Sequence, residues 1–430
     1  MKKILIISYF FPPCNLTASQ RAFSWARYLN RFGFYPVVIT RRWDHPIKTL
    51  ADVSLGTPTD VIVEKNDDYE VHYLPHIPNL RDLIYTRYGD QCFTLFRRLL
   101  TLIELFLQNF FSSFTPYNNF LSYTLNLVKQ DKDICAAIIS GNPFHQFNIG
   151  YQLKLKFGMP WIAEYRDAWT TSEINFINRN PLFKFINYFD RRNEKKWVGS
   201  ASYITASSGP IAAGINNLTG VRAEPIFNGF VVEDFEGINP PKFQSFTITY
   251  VGTLYHGQKV EIFCEAFKKL IDNNPGINCK LLFPGLALNK EQTDRVNKVM
   301  KGYESFVECT PRMERTKVLG IEKSSHLLFH VAWDEQDGII ASKIYEYIAS
   351  GTFIIVTPTD NGSIEEIVNR SECGVCTKGV QDTYDFLVQE YGQYMKEIVH
   401  VNDTKRECVK QYSREGQAKK MAGILNELMS

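Results

Sequence analysis

Residues 3–40 read KILIISYFFPPCNLTASQRAFSWARYLNRFGFYPVVIT and decide the fold class. Lys3–Ser8 is almost entirely apolar, which is typical of a strand buried on both faces of a parallel sheet. Apolar residues at helical spacing predict a helix from Thr17 to about Phe32, which ends at Gly33. A second buried strand follows at Val37–Thr40. A strand, a helix and a second strand in this order predict a doubly wound α/β sheet.

The same alternation continues in two series, which predicts two separate α/β units. Asn239-Pro240-Pro241 is the predicted linker between the series, and the chain closes with an amphipathic helix over Ser413–Leu428. We therefore expect a first domain at 1–235, a second at 236–410 and a final helix within 411–430. The further predicted strands are Ala136–Ser140, Trp161–Tyr165, Tyr203–Ala206, Phe246–Val251, Lys280–Phe283, His326–Val331 and Phe353–Val356.

Composition narrows the class of protein and its compartment. The 430 residues carry 48 basic and 46 acidic side chains, a formal charge of +2, which gives no overall electrostatic case for nucleic acid as a partner. Nine scattered cysteines are typical of reduced thiols in a cytosol, and the single C-x-x-C pair is interpreted as incidental. Because Ile4–Ile7 is too short for a signal-peptide core, we expect a cytoplasmic protein.

Common nucleotide-binding motifs are missing from the sequence. The turn after the first strand, Tyr9–Cys14, lacks the glycines that let a dinucleotide approach the backbone, and no P-loop motif occurs. The eight histidines show no metal-ligand spacing. Dehydrogenase, P-loop and metal-dependent classes are therefore disfavoured.

The most informative stretch for chemistry is residues 338–351, GIIASKIYEYIASG. A glycine loop enters a helix there, and the helix start offers N–H donors and a positive dipole to an anion. Lys343 adds a full positive charge, and Glu346 lies one turn further on the same face. A diphosphate held by Lys343 would bring its ribose near Glu346. An exposed Lys–Glu pair without a ligand is an equally good interpretation at this point.

Residues 81–120 depart from the alternating pattern. They hold ten aromatic residues, four arginines and three acids, and the run from Leu99 to Phe111 is apolar nearly all round. Two interpretations stay open: a helix that lies in a membrane interface, and a core helix beneath the first sheet.

Several motifs in the same order resemble one large family. The opening 4–40, PWIAEYRDAW at 160–169, PIFNGF at 225–230, YVGTL at 250–254 and KIYEYIASG at 343–351 are similar to segments of the retaining GT-B-fold glycosyltransferases (family 4-like) that build bacterial surface polysaccharides. The resemblance covers nearly the whole chain.

The resemblance implies an α/β fold of two Rossmann-like domains facing across a cleft, with the last helix crossing back to the first domain. The first domain, with its hydrophobic segment 81–120, would serve the acceptor, and the second would bind the nucleotide sugar. The implied activity is metal-independent transfer of a hexosyl or N-acetylhexosaminyl group to a saccharide or polyprenyl-linked acceptor. No cofactor is implied, a UDP-linked donor is favoured, and residues 81–120 would contact the inner face of the membrane.

The resemblance also implies roles for individual residues. Alternatives stay open for three of them: Arg166 as partner of Asp167 in a loop, Lys259 as an exposed helix start, and His145 as a plain helix-start histidine. The implied catalytic residues are Arg166, Asp167 and His145; the donor-binding residues are Gly252, Thr253, Lys259, Arg312, Ser342, Lys343 and Glu346; the acceptor-side residue is Arg21; no metal ligand is implied.

The chain also departs from the family pattern. Many members carry a glutamate eight residues before the one equivalent to Glu346, where this chain has Gly338. Cys14-Asn15-Leu16 replaces the family's Gly-Gly turn after the first strand. A nucleotide-sugar 2-epimerase and a non-catalytic glycan-binding protein of the same fold are the alternative functions.

Overall fold

The chain folds into two compact units. The first comprises Met1–Phe227 with Gln417–Ser430, and the second comprises Asn228–Gly416. Each unit is built on its own largely parallel sheet, so the predicted pair of Rossmann-like α/β domains is confirmed. The computed structural model describes residues 1–45, 47–111, 114–171, 181–333, 337–398 and 400–430.

Strands and helices alternate along both units. The strands are β1 Lys2–Ile7, β2 Phe34–Arg41, β3 Ile62–Lys65, β4 Glu70–Leu74, β5 Ile134–Gly141, β6 Trp161–Tyr165, β7 Tyr203–Ala206, β8 Ala223–Pro225, β9 Phe246–Thr249, β10 Cys279–Pro284, β11 Val307–Thr310, β12 Leu327–His330, β13 Phe353–Val356 and β14 Gly374–Cys376. The helices are α1 Ser19–Tyr28, α2 Leu50–Val53, α3 Leu80–Tyr88, α4 Thr94–Leu107, α5 Asn119–Gln130, α6 Phe147–Phe157, α7 Pro181–Val198, α8 Gly209–Thr219, α9 Val260–Asp272, α10 Lys290–Val299, α11 Arg315–Ser324, α12 Lys343–Ser350, α13 Ser363–Ser371, α14 Val380–Tyr394, α15 Glu407–Lys410 and α16 Arg414–Leu428.

The first sheet has the strand order β3-β4-β2-β1-β5-β6-β7-β8. All neighbours pair in parallel except β3 and β4, which form an antiparallel edge. Ile4 and Ile6 of β1 belong to one apolar cluster, whereas Leu5 and Ile7 belong to another. Because successive side chains of a strand point to opposite faces, β1 is buried on both sides, which explains its continuous apolar sequence.

Helix α16 completes the core of the first unit. Its residues Ala418, Met421 and Leu425 are fully buried in the cluster that contains Ile4 and Ile6. The last helix therefore returns to the first unit and covers one face of its sheet.

The second sheet has the strand order β11-β10-β9-β12-β13-β14, and all of its pairs are parallel. From β9 the chain continues to β10 and β11 on one side of β9, and it then returns to form β12, β13 and β14 on the other side. This reversal between β9 and β12 is the topological switch point, where open α/β sheets bind ligands at the carboxyl ends of the strands.

The chain passes between the units at positions that differ from the predicted 235 and 410. It leaves the first unit after Phe227, and Asn239-Pro240-Pro241 lies inside the second unit. The reason is local packing: Phe230 N–H donates to the Tyr412 carbonyl at 3.1 Å. Lys323 Nζ donates to the Ile238 carbonyl at 2.7 Å, so the segment before β9 is bound to α11.

Helix α4 is exposed, and the interpretation of this run as a core helix is wrong. None of its residues is buried, and Leu95, Leu99 and Ile103 are 78 %, 51 % and 44 % exposed. Its other side packs on α7, where Phe106 stacks on Phe185 with ring centroids 6.0 Å apart. Over the ranges given above, no helix has the length and apolar character to cross a bilayer.

Candidate functional site

The candidate donor site lies at the switch point of the second sheet. Strand β9 ends at Thr249 and is followed by the turn Tyr250–Leu254. The neighbouring strand β12 ends at His330, and α12 begins at Lys343. These segments bring four of the predicted donor-binding residues together: Gly252, Thr253, Lys343 and, one turn along α12, Glu346.

Lys343 is docked on the turn after β9. Its Nζ donates to the Thr253 carbonyl at 3.1 Å and lies 3.9 Å above the centre of the Tyr250 ring. The side chain is half-buried. Desolvation lowers the pKa of Lys343 to about 7, although the nearby carboxylates of Glu346 and Glu322 act in the opposite direction.

Two further features fix α12 against this turn. The main-chain N–H of Val251 donates to the Tyr347 hydroxyl at 2.7 Å, four residues after Lys343 on the same helix face. Gly252 has φ +85°, which only glycine adopts without strain, and an added Cβ would lie 3.8 Å from Lys343 Nζ. These contacts fix α12 relative to the turn after β9 and so determine where the Lys343 ammonium lies.

Glu346 is held by an arginine that the sequence analysis did not single out. Arg315 Nη1 donates to Glu346 Oε1 at 2.9 Å, and Arg315 Nη2 donates to Asp234 Oδ2 at 2.7 Å. The side chains of Arg315 and Glu346 are 52 % and 24 % exposed, so the Glu346 carboxylate is oriented and still within reach of solvent.

The predicted Arg312 does not take part in this contact. It lies exposed in the segment between β11 and α11, three residues before Arg315. Its predicted stacking on a base stays a prediction.

A buried carboxyl group lies beside the same site. Glu322 of α11 is fully buried, and neither of its side-chain oxygens has a hydrogen-bond partner among the described residues. Burial, with Glu346 nearby, raises the pKa of Glu322 well above its usual range. No sequence motif indicates Glu322, because its neighbours at the site are brought to it only by the packing of α11 on α12.

His330 is the last residue of β12 and the second titratable group that sequence reasoning missed. It is 1 % exposed. Burial, together with the charge of Lys343, lowers the pKa of His330 to about 3. The imidazole is therefore neutral at the edge where β9 and β12 end.

The glycine loop before α12 is tied to the next helix. Gly338 has φ +88°, and its N–H donates to Asp337 Oδ1 at 2.6 Å. The same oxygen accepts the main-chain N–H of Ser363 at the start of α13 at 2.7 Å. Asp337 thus connects the loop that carries the predicted anion site to α13.

Two predicted donor residues lie at helix starts. Ser342 directly precedes α12, and its carbonyl accepts the N–H of Tyr345 at 3.2 Å. Lys259 directly precedes α9 and is exposed. The donor roles of both stay predictions.

In the first unit, the predicted catalytic residues follow the adjacent strands β5 and β6. Arg166 and Asp167 come directly after β6 and pair with each other, with Arg166 Nε 2.8 Å from Asp167 Oδ2. The Arg166 carbonyl accepts the Ser207 hydroxyl at 2.7 Å. The Arg–Asp pair that the sequence analysis left open as an alternative is therefore present in the structure. The Arg166 and Asp167 side chains are nevertheless 29 % and 61 % exposed.

His145 lies in a short helical turn after β5. Its side chain packs edge-on against Trp169 and Trp197, at centroid distances of 5.3 and 5.6 Å. Its Nε2 is 3.6 Å from Asp190 Oδ1. Burial lowers the pKa of His145 to about 3 and raises the pKa of Asp190 to about 6, so the imidazole is neutral at physiological pH.

Arg21 has an internal position rather than an exposed one. It is 4 % exposed, and its guanidinium contacts the fully buried Glu164 at 2.5 Å and the Ile226 carbonyl at 2.8 Å. Glu164 also accepts the Ser140 hydroxyl. The pair connects α1 to β5 and β6, and the acceptor-side role of Arg21 stays a prediction.

The part of the chain that the structure describes contains no group of three or more His, Cys, Asp or Glu side chains placed to hold a metal ion.

Comparison with known proteins bears on the second unit and on the fold of the whole chain. Residues 245–389, about a third of the chain, match the family described as Glycosyl transferases group 1. This stretch includes Gly252, Lys343 and Glu346. No curated protein matches the chain.

Solved structures are similar over the full length. The sucrose-phosphate synthase of Thermosynechococcus elongatus has TM-score 0.61 and 14 % identity, with 100 % of this chain and 99 % of that one covered. A glycosyltransferase from Rickettsia africae has TM-score 0.60 and 11 % identity, with 100 % and 98 % covered. The Anabaena protein HepE, in complex with UDP and glucose, has TM-score 0.55 and 12 % identity, with 99 % and 100 % covered.

At these identities the structural likeness establishes the fold alone. The chain has the GT-B fold, and its residues 245–389 match the family described as Glycosyl transferases group 1.

Proposed function

We propose that the chain is a retaining, metal-independent glycosyltransferase. It moves a hexosyl or N-acetylhexosaminyl group from a nucleoside-diphosphate sugar to a saccharide or polyprenyl-linked acceptor in polysaccharide biosynthesis. A UDP-linked donor is the first candidate, because the structurally similar HepE was solved with UDP and glucose.

One observation carries the donor half of this proposal. The Lys343 ammonium is half-buried at the carboxyl edge of the second sheet, with its Nζ on the Thr253 carbonyl beside Gly252. An ammonium held there by one carbonyl and one aromatic ring can exchange them for phosphate oxygens. Glu346, oriented by Arg315, then accepts hydrogen bonds from ribose hydroxyls one helical turn away.

The chemistry follows from where charge develops. As the bond between the sugar and the diphosphate breaks, negative charge grows on the leaving phosphate and the sugar becomes oxocarbenium-like. Lys343, the start of α12 and Lys259 stabilise that negative charge, and positioned donors of this kind act most strongly in the transition state. Arg166 of the first unit supplies further positive charge.

Retention in this scheme needs no protein nucleophile. The acceptor hydroxyl attacks on the face that the diphosphate leaves, and the departing phosphate oxygen takes the hydroxyl proton. An α-linked nucleotide sugar then gives an α-linked product.

The acceptor half of the proposal rests on α4. We define the apolar surface as its exposed side chains Leu95, Phe96, Leu99 and Ile103. Arg97 and Arg98 interrupt it, and a basic and apolar helix face of this kind favours a membrane interface with anionic lipids. A cytoplasmic enzyme attached in this way to the inner face of the membrane would meet lipid-linked acceptors.

A two-step experiment tests the proposed function. Thermal unfolding is first measured against UDP-, GDP- and dTDP-sugars, since a ligand at about 100 times its Kd adds about 2.7 kcal/mol to the free energy of unfolding. We expect one nucleotide class to raise Tm in the wild type and to have little effect in Lys343→Ala. The exposed variant Lys298→Ala serves as the matched control and should respond like the wild type.

The second step identifies the reaction by NMR, with the active nucleotide sugar in the presence and absence of candidate acceptors. An α-linked product formed only with acceptor supports the proposal. Conversion of the nucleotide sugar to an epimer without acceptor supports the 2-epimerase instead, and no Tm response to any nucleotide sugar would contradict both.

A further inference from the structure

The segment between β9 and α9, which ends in Lys259, is held from outside by one guanidinium. This guanidinium belongs to Arg295 of α10. Its Nη2 donates to the Gln258 carbonyl at 2.7 Å, and its Nη1 makes two longer contacts, with the carbonyls of Tyr255 at 3.3 Å and His256 at 3.4 Å. Three main-chain carbonyls of one short segment therefore converge on a single cation.

The same guanidinium forms a two-pronged ion pair with Glu261 in the first turn of α9. Arg295 Nε donates to Glu261 Oε1, and Arg295 Nη2 donates to Glu261 Oε2 at 2.6 Å. Burial alone would raise the pKa of Glu261, but the hydrogen bonds from Arg295 hold it below its usual value, so the carboxylate stays ionised near neutral pH. The planar fork of an arginine is suited to this geometry, whereas a lysine offers only a point charge.

Arg295 is occupied by these contacts. Gln292, one turn earlier on α10, accepts from Nη1 at 3.2 Å, so all three nitrogens of the guanidinium have partners. The Arg295 side chain is 20 % exposed. Its charge is therefore used within the protein, and it holds the segment before α9 rather than a ligand.

The segment is also fixed from inside. Gln258 is 2 % exposed, and its Nε2 donates to the carbonyl of Val331, the residue after β12, at 2.5 Å. Gln258 Oε1 accepts the main-chain N–H of Tyr255 at 3.0 Å. The residues 255–258 are thus bound to the sheet on one side and to α10 on the other.

Lys259 lies between these fixed points. It directly follows Gln258, whose carbonyl binds Arg295, and it directly precedes α9, whose first turn carries Glu261. The Lys259 side chain is exposed. Because a lysine side chain has many rotamers, the backbone on either side of it decides which region its ammonium can reach.

We propose that Arg295 is a positioning residue that acts through Lys259 and fixes the Lys259 ammonium for the leaving phosphate. This role rests on the proposed function, and it deepens that function by naming a residue outside the site that controls charge stabilisation. A cation that is preorganised where negative charge develops needs no rearrangement during the reaction, and a small displacement of it lowers the rate. If the pair with Glu261 only fastened α10 to α9, its loss would change stability and not the rate.

A double-mutant cycle in kcat distinguishes the two roles. Arg295→Met keeps the apolar stem and removes the guanidinium, and it should lower kcat at least about tenfold with a smaller change in the donor KM. In the Lys259→Ala background the same substitution should have no further effect on kcat, because the residue through which Arg295 acts is gone. Additive losses in kcat would overturn the proposal.

Two further variants separate geometry from charge. Lys298→Met removes an exposed cation from the same helix and should leave kcat unchanged. Arg295→Lys keeps the charge but loses the fork, so its kcat should stay close to that of Arg295→Met. A wild-type kcat in Arg295→Lys would show that charge alone suffices and would overturn the positioning role.

Hydrogen exchange gives a readout that needs no activity. The amides of residues 255–259 should exchange at least about tenfold faster in Arg295→Met than in the wild type, whereas those of α12 should be unchanged. Unchanged exchange at 255–259 would contradict the proposal. If Arg295→Met does not fold, Glu261→Gln takes its place in the cycle and in the exchange measurement, since it weakens only the ion pair.

The two proposals fail separately. If the chain transfers sugar but the kcat losses are additive, Arg295 is not a positioning residue and the enzymatic function stands. If exchange at 255–259 rises but no nucleotide sugar binds, Arg295 does hold the segment, while the transferase function and the role at the phosphate are both wrong.

Discussion

Lys343 and Tyr250 donate to the same acceptor, the main-chain carbonyl of Thr253, each at 3.1 Å. The ammonium also lies on the face of the tyrosine ring, at 3.9 Å from its centre. Cation–π contact and one carbonyl compensate only part of the lost hydration of an ammonium. A dianionic group bound next to Lys343 would therefore stabilise its ammonium by replacing the lost hydration.

The first prediction concerns catalysis by this lysine. Lys343→Ala should lower kcat about 10²-fold and raise the donor KM by a smaller factor, because the charge on the diphosphate is greatest in the transition state. Steady-state kinetics with the donor identified by thermal unfolding checks this. An increase in KM with an unchanged kcat would mean that Lys343 only binds the ground state.

The second prediction concerns protons. In the free protein the pKa of Lys343 is about 7, and a bound diphosphate should raise it, so nucleotide binding takes up a proton above pH 7. Affinity should therefore fall as the pH rises from 7 to 9. Calorimetry at pH 8 in two buffers of different ionisation enthalpy measures the uptake. Lys343→Met should abolish it, and the same uptake in that variant would assign the proton to another group.

The same pKa shift also affects stability. A lysine whose pKa is lowered on folding binds more protons in the unfolded chain than in the native one between about pH 7 and pH 10.5. Its contribution to the free energy of unfolding therefore increases with pH across that window. The difference between wild type and Lys343→Met in urea unfolding at pH 7 and pH 9 should show this sign.

The third prediction concerns Glu346. Glu346→Gln should weaken nucleotide-sugar binding by about 1.5–3 kcal/mol, because a charged acceptor for ribose hydroxyls becomes a neutral one. Glu366→Gln removes a charge from an exposed pair with Arg370 and is the matched control. Calorimetry that gives the same affinity for Glu346→Gln and Glu366→Gln would contradict the ribose role.

The fourth prediction concerns the interior of the first unit. Arg21→Met leaves the fully buried Glu164 without its cation and should lower the free energy of unfolding by about 3–5 kcal/mol. Adding Glu164→Gln to this variant should recover part of the loss, since the uncompensated charge is removed. Denaturant unfolding of the single and double variants measures both, and additive losses would show that the two residues do not interact.

The fifth prediction concerns the apolar surface of α4. Leu95→Glu with Leu99→Glu should reduce binding to anionic vesicles at least about tenfold, since each leucine contributes about 1.5–3 kcal/mol when buried. Leu155→Glu changes a leucine that is 66 % exposed on α6 and should have no effect. Flotation that leaves the wild type in the soluble fraction would contradict membrane contact.

Long apolar runs allowed most of the fold to be predicted. Trp161–Tyr165 and Phe353–Val356 are strands with the predicted bounds, because both are buried between helices and cannot tolerate polar residues. The edge strand β3, with its exposed Val63 and Glu64, carries no such pattern and was not predicted. The sequence predicts residues 228–235 as part of the first unit, whereas in the structure they belong to the second. The contact that holds them there, between Phe230 and Tyr412, joins residues far apart in sequence and leaves no local pattern.

From residue spacing alone, the candidate site was predictable only where one helix carries it, whereas Gly252 and Thr253 came from the family resemblance. Lys343 and Glu346 are three residues apart on α12, so their spacing alone places them on one face. Arg315 and Glu322 reach the same site from α11, and this packing of two helices leaves no local pattern in the sequence.

The second unit is inserted into the first, because α16 fills the first unit's core only after the chain has passed through Asn228–Gly416. During synthesis the β1 face that receives Met421 and Leu425 stays uncovered until the whole inserted unit has left the ribosome. The second unit can fold before the first is complete. A nascent chain stalled before α16 should therefore resist protease in the second unit while the first is still cleaved.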